Sequence, residues 1–202
     1  RLRRFSKISV RERALADRLF AMGFDVSVTM DPVFLLKKHD WISRLSLRPI
    51  RTSGKPYLFF YNHNYSRQAI RLVKRISKLR GLKVIEVNSF VRARNMRNLF
   101  HNAASPRRFL ELMLHSDYVV TTSFHGAAFS VLFNKPFVAL GMDHNFERVG
   151  TLLETTGLER FYISASQNVE LFEPCDIDYS YANTRIASAV AASVDYLDLA
   201  LR

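Results

Sequence analysis

His125 stands in the most distinctive stretch of the sequence, Asp117-Tyr-Val-Val-Thr-Thr-Ser-Phe-His-Gly126. The pattern predicts a buried strand, three hydroxyl residues at 121–123, and a turn at Phe124 into a helix. The first N–H groups of a helix carry partial positive charge and bind anions, and hydroxyl groups add hydrogen-bond donors. An imidazole at this position can donate a proton to a bound acid or accept one from a hydroxyl. The stretch predicts an acid–base site beside an anion, with a purely structural histidine as the alternative.

Arg11 is the second candidate for chemistry, because it directly follows a short predicted strand, Ile8–Val10. Its planar guanidinium suits a carboxylate or a phosphate. A structural ion pair with an acid such as Asp31 would satisfy the same side chain. The spacing leaves both roles open.

Several other kinds of site are not expected, because the motifs that would mark them do not occur in the sequence. Neither GxGxxG nor GxxxxGK[ST] occurs, which counts against a standard dinucleotide or P-loop site. The turn at His125 is not a GxSxG elbow, and the six histidines show no metal-ligand spacing, so we expect neither serine hydrolysis nor a metal. The single Cys175 indicates a reducing compartment, since it has no partner within the chain.

The elements that must position these residues alternate between strands and helices along the chain. This order predicts a Rossmann-like α/β domain of three layers, with a mostly parallel sheet, over residues 1–202. A stripe of Ile70, Val73, Ile76 and Leu79 marks the apolar face of one helix. The predicted strands are Ile8–Val10, Asp25–Met30, Tyr57–Tyr61, Lys83–Val87, Tyr118–Thr121 and Phe137–Leu140. The predicted helices are Glu12–Met22, Ser66–Arg80, Ser105–His115, His125–Phe133, Phe146–Thr156 and a terminal helix at about 180–201.

Charge is distributed unevenly along the chain. Residues 1–108 hold 25 basic and 6 acidic residues, whereas residues 109–202 hold 5 basic and 12 acidic ones. Two polar basic segments, 37–55 and 88–104, follow predicted strands, and the second carries Arg92, Arg94 and Arg97. Such loops lie where open α/β sheets bind ligands. A basic half suits phosphates, nucleic acid or an anionic membrane surface.

No membrane span or signal peptide is predicted. No run approaches the roughly 20 apolar residues that a span requires. The chain begins Arg1-Leu2-Arg3-Arg4, without Met and without an apolar leader. We therefore expect a domain from a longer chain, located in the cytoplasm, with peripheral association at the inner face of the membrane as an option.

Taken together, these segments resemble the polysaccharide pyruvyl transferase family. The match runs in order over residues 5–160, which is more specific than any single motif. The matching segments are Ile8-Ser-Val-Arg-Glu12, Gly23-Phe-Asp-Val26, Asp31-Pro-Val-Phe-Leu-Leu36, Ser105-Pro106, Ser123-Phe-His-Gly126, Phe133-Asn-Lys-Pro-Phe137, and Arg148 before Thr156-Gly-Leu158.

The resemblance implies the fold of the C-terminal half of a GT-B-like two-domain enzyme, with the family's N-terminal domain absent from this chain. It implies transfer of the enolpyruvyl group of phosphoenolpyruvate onto two hydroxyls of a sugar or lipid-linked saccharide, forming a pyruvate ketal in exopolysaccharide or cell-envelope biosynthesis. No cofactor or metal is implied, and this chain alone is expected to be inactive. The implied catalytic residues are His125 and Arg11, and the implied substrate-binding residues are Thr122, Ser123, Phe124, Gly126 and Arg148.

One departure from the family concerns position 123. Many relatives have Arg-Leu-His where this chain has Ser123-Phe124-His125, so one expected phosphate-binding cation is absent. Arg148 or the loop that contains Arg92, Arg94 and Arg97 could replace it.

Three other functions compete with this one. A GT-B glycosyltransferase with a nucleotide-sugar donor would require a ribose-binding carboxylate, for which Glu86 and Asp143 are candidates. A nucleic-acid-binding module would fit the basic half, but no RNA or DNA motif occurs, so no nucleic-acid partner is expected. A family member that assists polysaccharide assembly without catalysis is the third.

Overall fold

A computed structural model of the protein describes residues 2–49, 55–63, 66–88, 104–141 and 146–202. Most of the second basic segment, with Arg92, Arg94 and Arg97, lies outside the described residues, as does Asp143.

Five parallel strands form the central sheet. They are β3 (Tyr57–Asn62), β4 (Lys83–Asn88), β5 (Tyr118–Thr121), β6 (Phe137–Leu140) and β7 (Tyr162–Ile163). Their spatial order is β4-β3-β5-β6-β7, and every neighbouring pair is parallel. Because the carboxyl ends of parallel strands share one edge, the turn after β5 lies beside the ends of β3 and β6.

The described residues form seven α-helices, and several of them cover the two faces of this sheet. They are α1 (Arg13–Ala21), α2 (Lys38–Arg44), α3 (Arg67–Arg80), α4 (Pro106–Leu114), α5 (Phe124–Leu132), α6 (Phe146–Thr156) and α7 (Ser180–Ala200). Buried residues form two clusters: Phe59, Val119 and Phe137 belong to one, and Leu58 and Val120 to the other. The alternation along β3 and β5 places one cluster on each face. The predicted α/β architecture of three layers is confirmed.

Two further strands, β1 (Ile8–Val10) and β2 (Val26–Val28), do not join this sheet. They pair only with each other, in parallel, and α1 connects them. The sequence pattern predicted a single sheet, because periodicity reports which face of a strand is buried and says nothing of which strand lies beside it. The single domain over residues 1–202 stays a prediction.

Helix boundaries follow the capping signals. Ser105 caps α4 by accepting a hydrogen bond from the Arg108 N–H at 3.2 Å, with Pro106 in the first turn. Ser66 caps α3 in the same way through the Ala69 N–H, and Gly81 ends that helix with a left-handed backbone (φ 63°). The terminal helix spans Ser180–Ala200, close to the predicted range.

Three local predictions were wrong. The segment 37–55 was expected to be irregular, yet Lys38–Arg44 is helical, and its first turn is capped by Asp40 accepting from the Lys37 N–H at 2.9 Å. Strand β7 was not predicted, because two residues are too few to show a periodicity. On α3, Leu79 was expected to be buried but is 58% exposed, whereas Leu72 is buried.

Among the described residues, no helix combines the length and apolarity that crossing a bilayer requires.

Candidate functional site

Phe124 is the point at which the candidate residues meet. It is the first residue of α5, and its ring is buried. The guanidinium carbons of Arg11, after β1, and Arg148, in the first turn of α6, lie 5.8 and 5.4 Å from the ring centroid. The His125 ring stands nearly perpendicular to it, with 5.4 Å between centroids. These cation–π distances show that three separate segments place two cations and an imidazole around one aromatic ring.

Each of these arginines is held by a carboxylate. Arg11 forms an ion pair with Asp31, whose other oxygen accepts from the Val33 N–H at 3.0 Å. Arg148 Nε lies 3.5 Å from Glu12 Oε1. The structural role that the sequence left open for Arg11 is therefore present. The Arg11 side chain is still 39% exposed, so its guanidinium can also meet a ligand.

His125 is exposed at the start of α5. Partial burial of its ring lowers its pKa from the usual value, and the electrostatic effects of Arg11, Arg148 and His63 lower it further. Asp31 acts in the opposite direction and raises it. The imidazole is therefore neutral at neutral pH, which is the form that accepts a proton.

The hydroxyl residues before α5 were expected to donate hydrogen bonds to an anion, and the structure gives two of them other partners. Thr121 Oγ1 donates to the Tyr61 carbonyl at 3.1 Å and accepts from the Ser123 N–H at 3.0 Å. Thr122 is fully buried, and its Oγ1 accepts from the His63 N–H at 2.9 Å. Ser123 precedes α5 but makes no capping hydrogen bond with its side chain. Thr121 and Thr122 thus tie the ends of β3 and β5 together, and ligand binding by Thr122 and Ser123 stays a prediction.

Gly126 is required by the contact between α5 and β5. A Cβ atom on this residue would lie 2.0 Å from Thr121 Oγ1. Helix α5 therefore packs closely on the sheet, and this packing fixes the position of His125 relative to the strand ends.

A cavity of about 160 Å³ opens beside Phe124. Three arginines line it, together with the Asp31 carboxylate and two threonines of α6: Arg11, Arg13, Arg148, Thr151 and Thr155. Arg13 was not among the predicted site residues. The signal available was its place at the first helical position after Arg11, at the predicted turn between β1 and α1.

Glu86, a candidate ribose ligand, lies in a different environment. It is buried at the end of β4 and accepts hydrogen bonds from Asn62 at 3.0 Å and from Asn88 at 3.5 Å. Burial raises its pKa, and the two amide hydrogen bonds oppose that rise. Its side chain is therefore engaged within the fold. In the described part of the chain, no group of three or more His, Cys, Asp or Glu side chains is arranged to hold a metal ion.

Solved structures with similar folds are sugar-nucleotide and polymer enzymes. The UDP-GlcNAc 2-epimerase of Methanocaldococcus jannaschii is 11% identical, with a TM-score of 0.52, and the match covers 95% of this chain and 61% of that one. The UDP-N-acetylglucosamine 2-epimerase of Rickettsia bellii is 16% identical, with a TM-score of 0.49 and 96% and 61% coverage. The wall teichoic acid polymerase TagF is 13% identical, with a TM-score of 0.44 and 98% and 56% coverage.

The likeness to the Methanocaldococcus jannaschii enzyme shows the fold alone, which is GT-B-like. This chain spans about three fifths of the length of the two epimerases. No curated protein matches the chain significantly. The sequence model of one family, described as polysaccharide pyruvyl transferase, matches residues 1–144, which is more than two thirds of the chain. The motifs at Arg11 and His125 fall within that range, and both residues lie beside Phe124. The chain therefore belongs to the polysaccharide pyruvyl transferase family.

Proposed function

We propose that this chain forms the donor side of an enzyme that transfers the enolpyruvyl group of phosphoenolpyruvate to a sugar. Two hydroxyls of the acceptor, a polysaccharide unit or a lipid-linked saccharide, would take up the group as a cyclic pyruvate ketal. The proposal is supported chiefly by the meeting of Arg11, Arg148 and His125 around Phe124.

The charges of this site suit such a donor. Phosphoenolpyruvate carries about three negative charges at neutral pH, from a phosphate and a carboxylate. Two guanidinium groups approach the Phe124 ring from separate segments, so they can contact the two ends of one small ligand. The buried ring beneath them restricts the positions that they can adopt.

The reaction balances with acid–base chemistry alone. A proton adds to the methylene carbon of the donor, and the resulting oxocarbenium-like centre is attacked by the first sugar hydroxyl, which loses its proton. The bond from that carbon to the phosphate oxygen then breaks, and the second hydroxyl attacks the same carbon and loses its proton. One of the two released protons replaces the first, and the other leaves with the phosphate as hydrogen phosphate.

We assign the proton steps to His125. The residue is accessible to solvent although its ring is partly buried, and its pKa is lowered, so the neutral form can accept a proton from an attacking hydroxyl. The imidazolium so formed could then return the proton to the methylene carbon of the next donor. Arg11 would hold the carboxylate or the phosphate of the donor during these steps.

Calorimetric titration of the intact protein with phosphoenolpyruvate and, separately, with uridine diphosphate tests the proposal. We expect phosphoenolpyruvate to bind, with the affinity falling at least about tenfold in Arg11→Ala because a charge-assisted hydrogen bond is lost. His125→Ala should weaken binding too, whereas His39→Ala, an exposed histidine of α2, should not.

The nucleotide titration separates this function from a glycosyltransferase. Binding of uridine diphosphate without phosphoenolpyruvate would assign the site to a nucleotide-sugar donor. Binding of neither ligand would remove the basis for the donor site. The buried and hydrogen-bonded Glu86 does not favour the nucleotide alternative.

A further inference from the structure

Among the described residues, two of the three arginines that line the cavity beside Phe124 form ion pairs with a carboxylate, and the third does not. Arg11 is paired with Asp31 and Arg148 with Glu12. Arg13 is exposed, and no described carboxylate lies within ion-pair distance of it. The described cavity wall and its ion-pair partners therefore contain three guanidinium groups and two carboxylates. One positive charge, that of Arg13, is left over.

The backbone of Arg13 is fixed to the element that carries Arg148. Its N–H donates to Thr151 Oγ1 on α6 at 3.3 Å. This contact holds the start of α1 against α6, so Arg13 and Arg148 reach the cavity from joined elements. The guanidinium of Arg13 remains exposed while its backbone is held.

Arg13 borders two cavities, and the charges that line them indicate which of the two an anion would enter. A second cavity, of about 350 Å³, shares Arg13 and Thr151 with the first, and its other charged lining residues are four acidic ones. An anion is repelled by these carboxylates and attracted to the arginines of the first cavity. The four acidic residues are Asp17, Glu147, Glu154 and Glu159.

We infer that Arg13 supplies the uncompensated charge that binds the phosphate group of the ligand in the cavity beside Phe124. Arg11 and Arg148 then orient the ligand by hydrogen bonds while they remain paired with their carboxylates. Arg13, which has no such partner in the described part of the chain, supplies the electrostatic attraction for the anion. Insofar as it names phosphoenolpyruvate, the inference rests on the proposed function. The ligand class is a phosphate monoester that also carries a carboxylate.

Substitutions of Arg13 test the inference, and substitution of another arginine on the same helix serves as the control. Arg18 also lies on α1 and is exposed, but it pairs with Glu147 and lines neither cavity. The intact protein and its Arg13→Gln, Arg13→Lys and Arg18→Gln variants are titrated with phosphoenolpyruvate and with inorganic phosphate, and circular dichroism checks their folding.

We expect Arg13→Gln to weaken both ligands about tenfold, because a charge-assisted hydrogen bond is lost. Arg13→Lys should retain part of the affinity, since lysine keeps the positive charge but lacks the paired N–H donors of the guanidinium group. Arg18→Gln should change affinity less than about twofold, the size of a screened surface effect. The dependence of binding on salt should also fall in Arg13→Gln and not in Arg18→Gln.

Equal effects of Arg13→Gln and Arg18→Gln would overturn the inference while leaving the proposed function intact. Binding of inorganic phosphate that depends on Arg13, without binding of phosphoenolpyruvate, would support the phosphate site and overturn the proposed donor. Failure to bind either ligand would overturn both.

Discussion

At the residue scale, His125 lies among opposing charges, and its protonation can be changed from a distance. The Arg148 charge lowers its pKa, so Arg148→Gln should raise that pKa, and Asp31→Asn should lower it. A proton acceptor must be neutral, and activity should therefore be lost on acidification through this pKa. In Arg148→Gln that loss should begin at a higher pH.

Titration of the imidazole resonances by NMR measures this directly. His115, at the end of α4, is the internal control, because its lowered pKa comes from burial and from Lys135. An Arg148→Gln variant in which both histidines shift equally, or neither shifts, would contradict the electrostatic link between Arg148 and His125.

The sequence predicted which residues come together at this candidate site better than it predicted their contacts. His125 and Arg11 could be found because each follows a strand, and the carboxyl ends of strands are where such folds bind ligands. The ion pair of Arg148 with Glu12 could not be found, since these residues are far apart in sequence. The hydroxyl of Thr122 was expected to face a ligand, yet it accepts a hydrogen bond from the backbone N–H of His63, the residue that follows β3.

At the element scale, α5 can carry His125 only if it packs closely on β5. We expect Gly126→Ala to lower the free energy of unfolding by about 1–3 kcal/mol, because the added methyl group overlaps Thr121. Gly150→Ala is the matched change inside α6, where a Cβ would meet no atom within 4 Å. It should raise the free energy of unfolding by about 0.5–1 kcal/mol, since alanine loses less backbone entropy in a helix.

Urea unfolding at fixed pH compares the two variants. If Gly126→Ala were as stable as the parent, α5 would not be held against Thr121 as described. If both variants were destabilised alike, the cause would be a general intolerance of α5 and α6 to alanine.

The elements themselves were predictable where local chemistry defines them. Ser66, Ser105 and Gly81 mark helix ends through their own hydrogen bonds or backbone conformation, which neighbouring sequence determines. Strand partners are different, because pairing depends on residues distant in sequence. This is why the separate β1–β2 sheet was found only in the structure, whereas the edge strand β7 was missed because its two residues are too few to show a periodicity.

At the scale of the whole molecule, the charge asymmetry of the sequence is partly cancelled by folding. Basic residues of α3 pair with acids of the segment before α7: Arg75 Nη2 lies 2.8 Å from Glu173 Oε1, and Arg80 Nη1 lies 2.9 Å from Asp176 Oδ1. Part of the basic half thus serves to bind the acidic half. The net charge of a segment overstates the charge that an external partner would meet.

Helix α7 links the end of β2 with α6. Arg185 donates to the carbonyls of Thr155 and Glu154 at the end of α6, at 2.7 and 3.0 Å. Ser193 Oγ accepts from the Met30 N–H at 2.9 Å, next to the Asp31 that holds Arg11. Helix α7 therefore supports the candidate site by holding the backbone that carries Asp31.

Removing the Ser193 hydroxyl tests this support. Ser193→Ala leaves the Met30 N–H without its acceptor, and we expect it to lower the free energy of unfolding by about 1–2 kcal/mol. Ser188→Ala, at an exposed position of the same helix, should change stability by less than about 0.5 kcal/mol. Amide exchange at Met30, followed by NMR, should accelerate only in Ser193→Ala. Equal exchange in the two variants would mean that α7 covers the β2 end without holding it, and that Asp31 is positioned by the Val33 N–H and by its ion pair with Arg11.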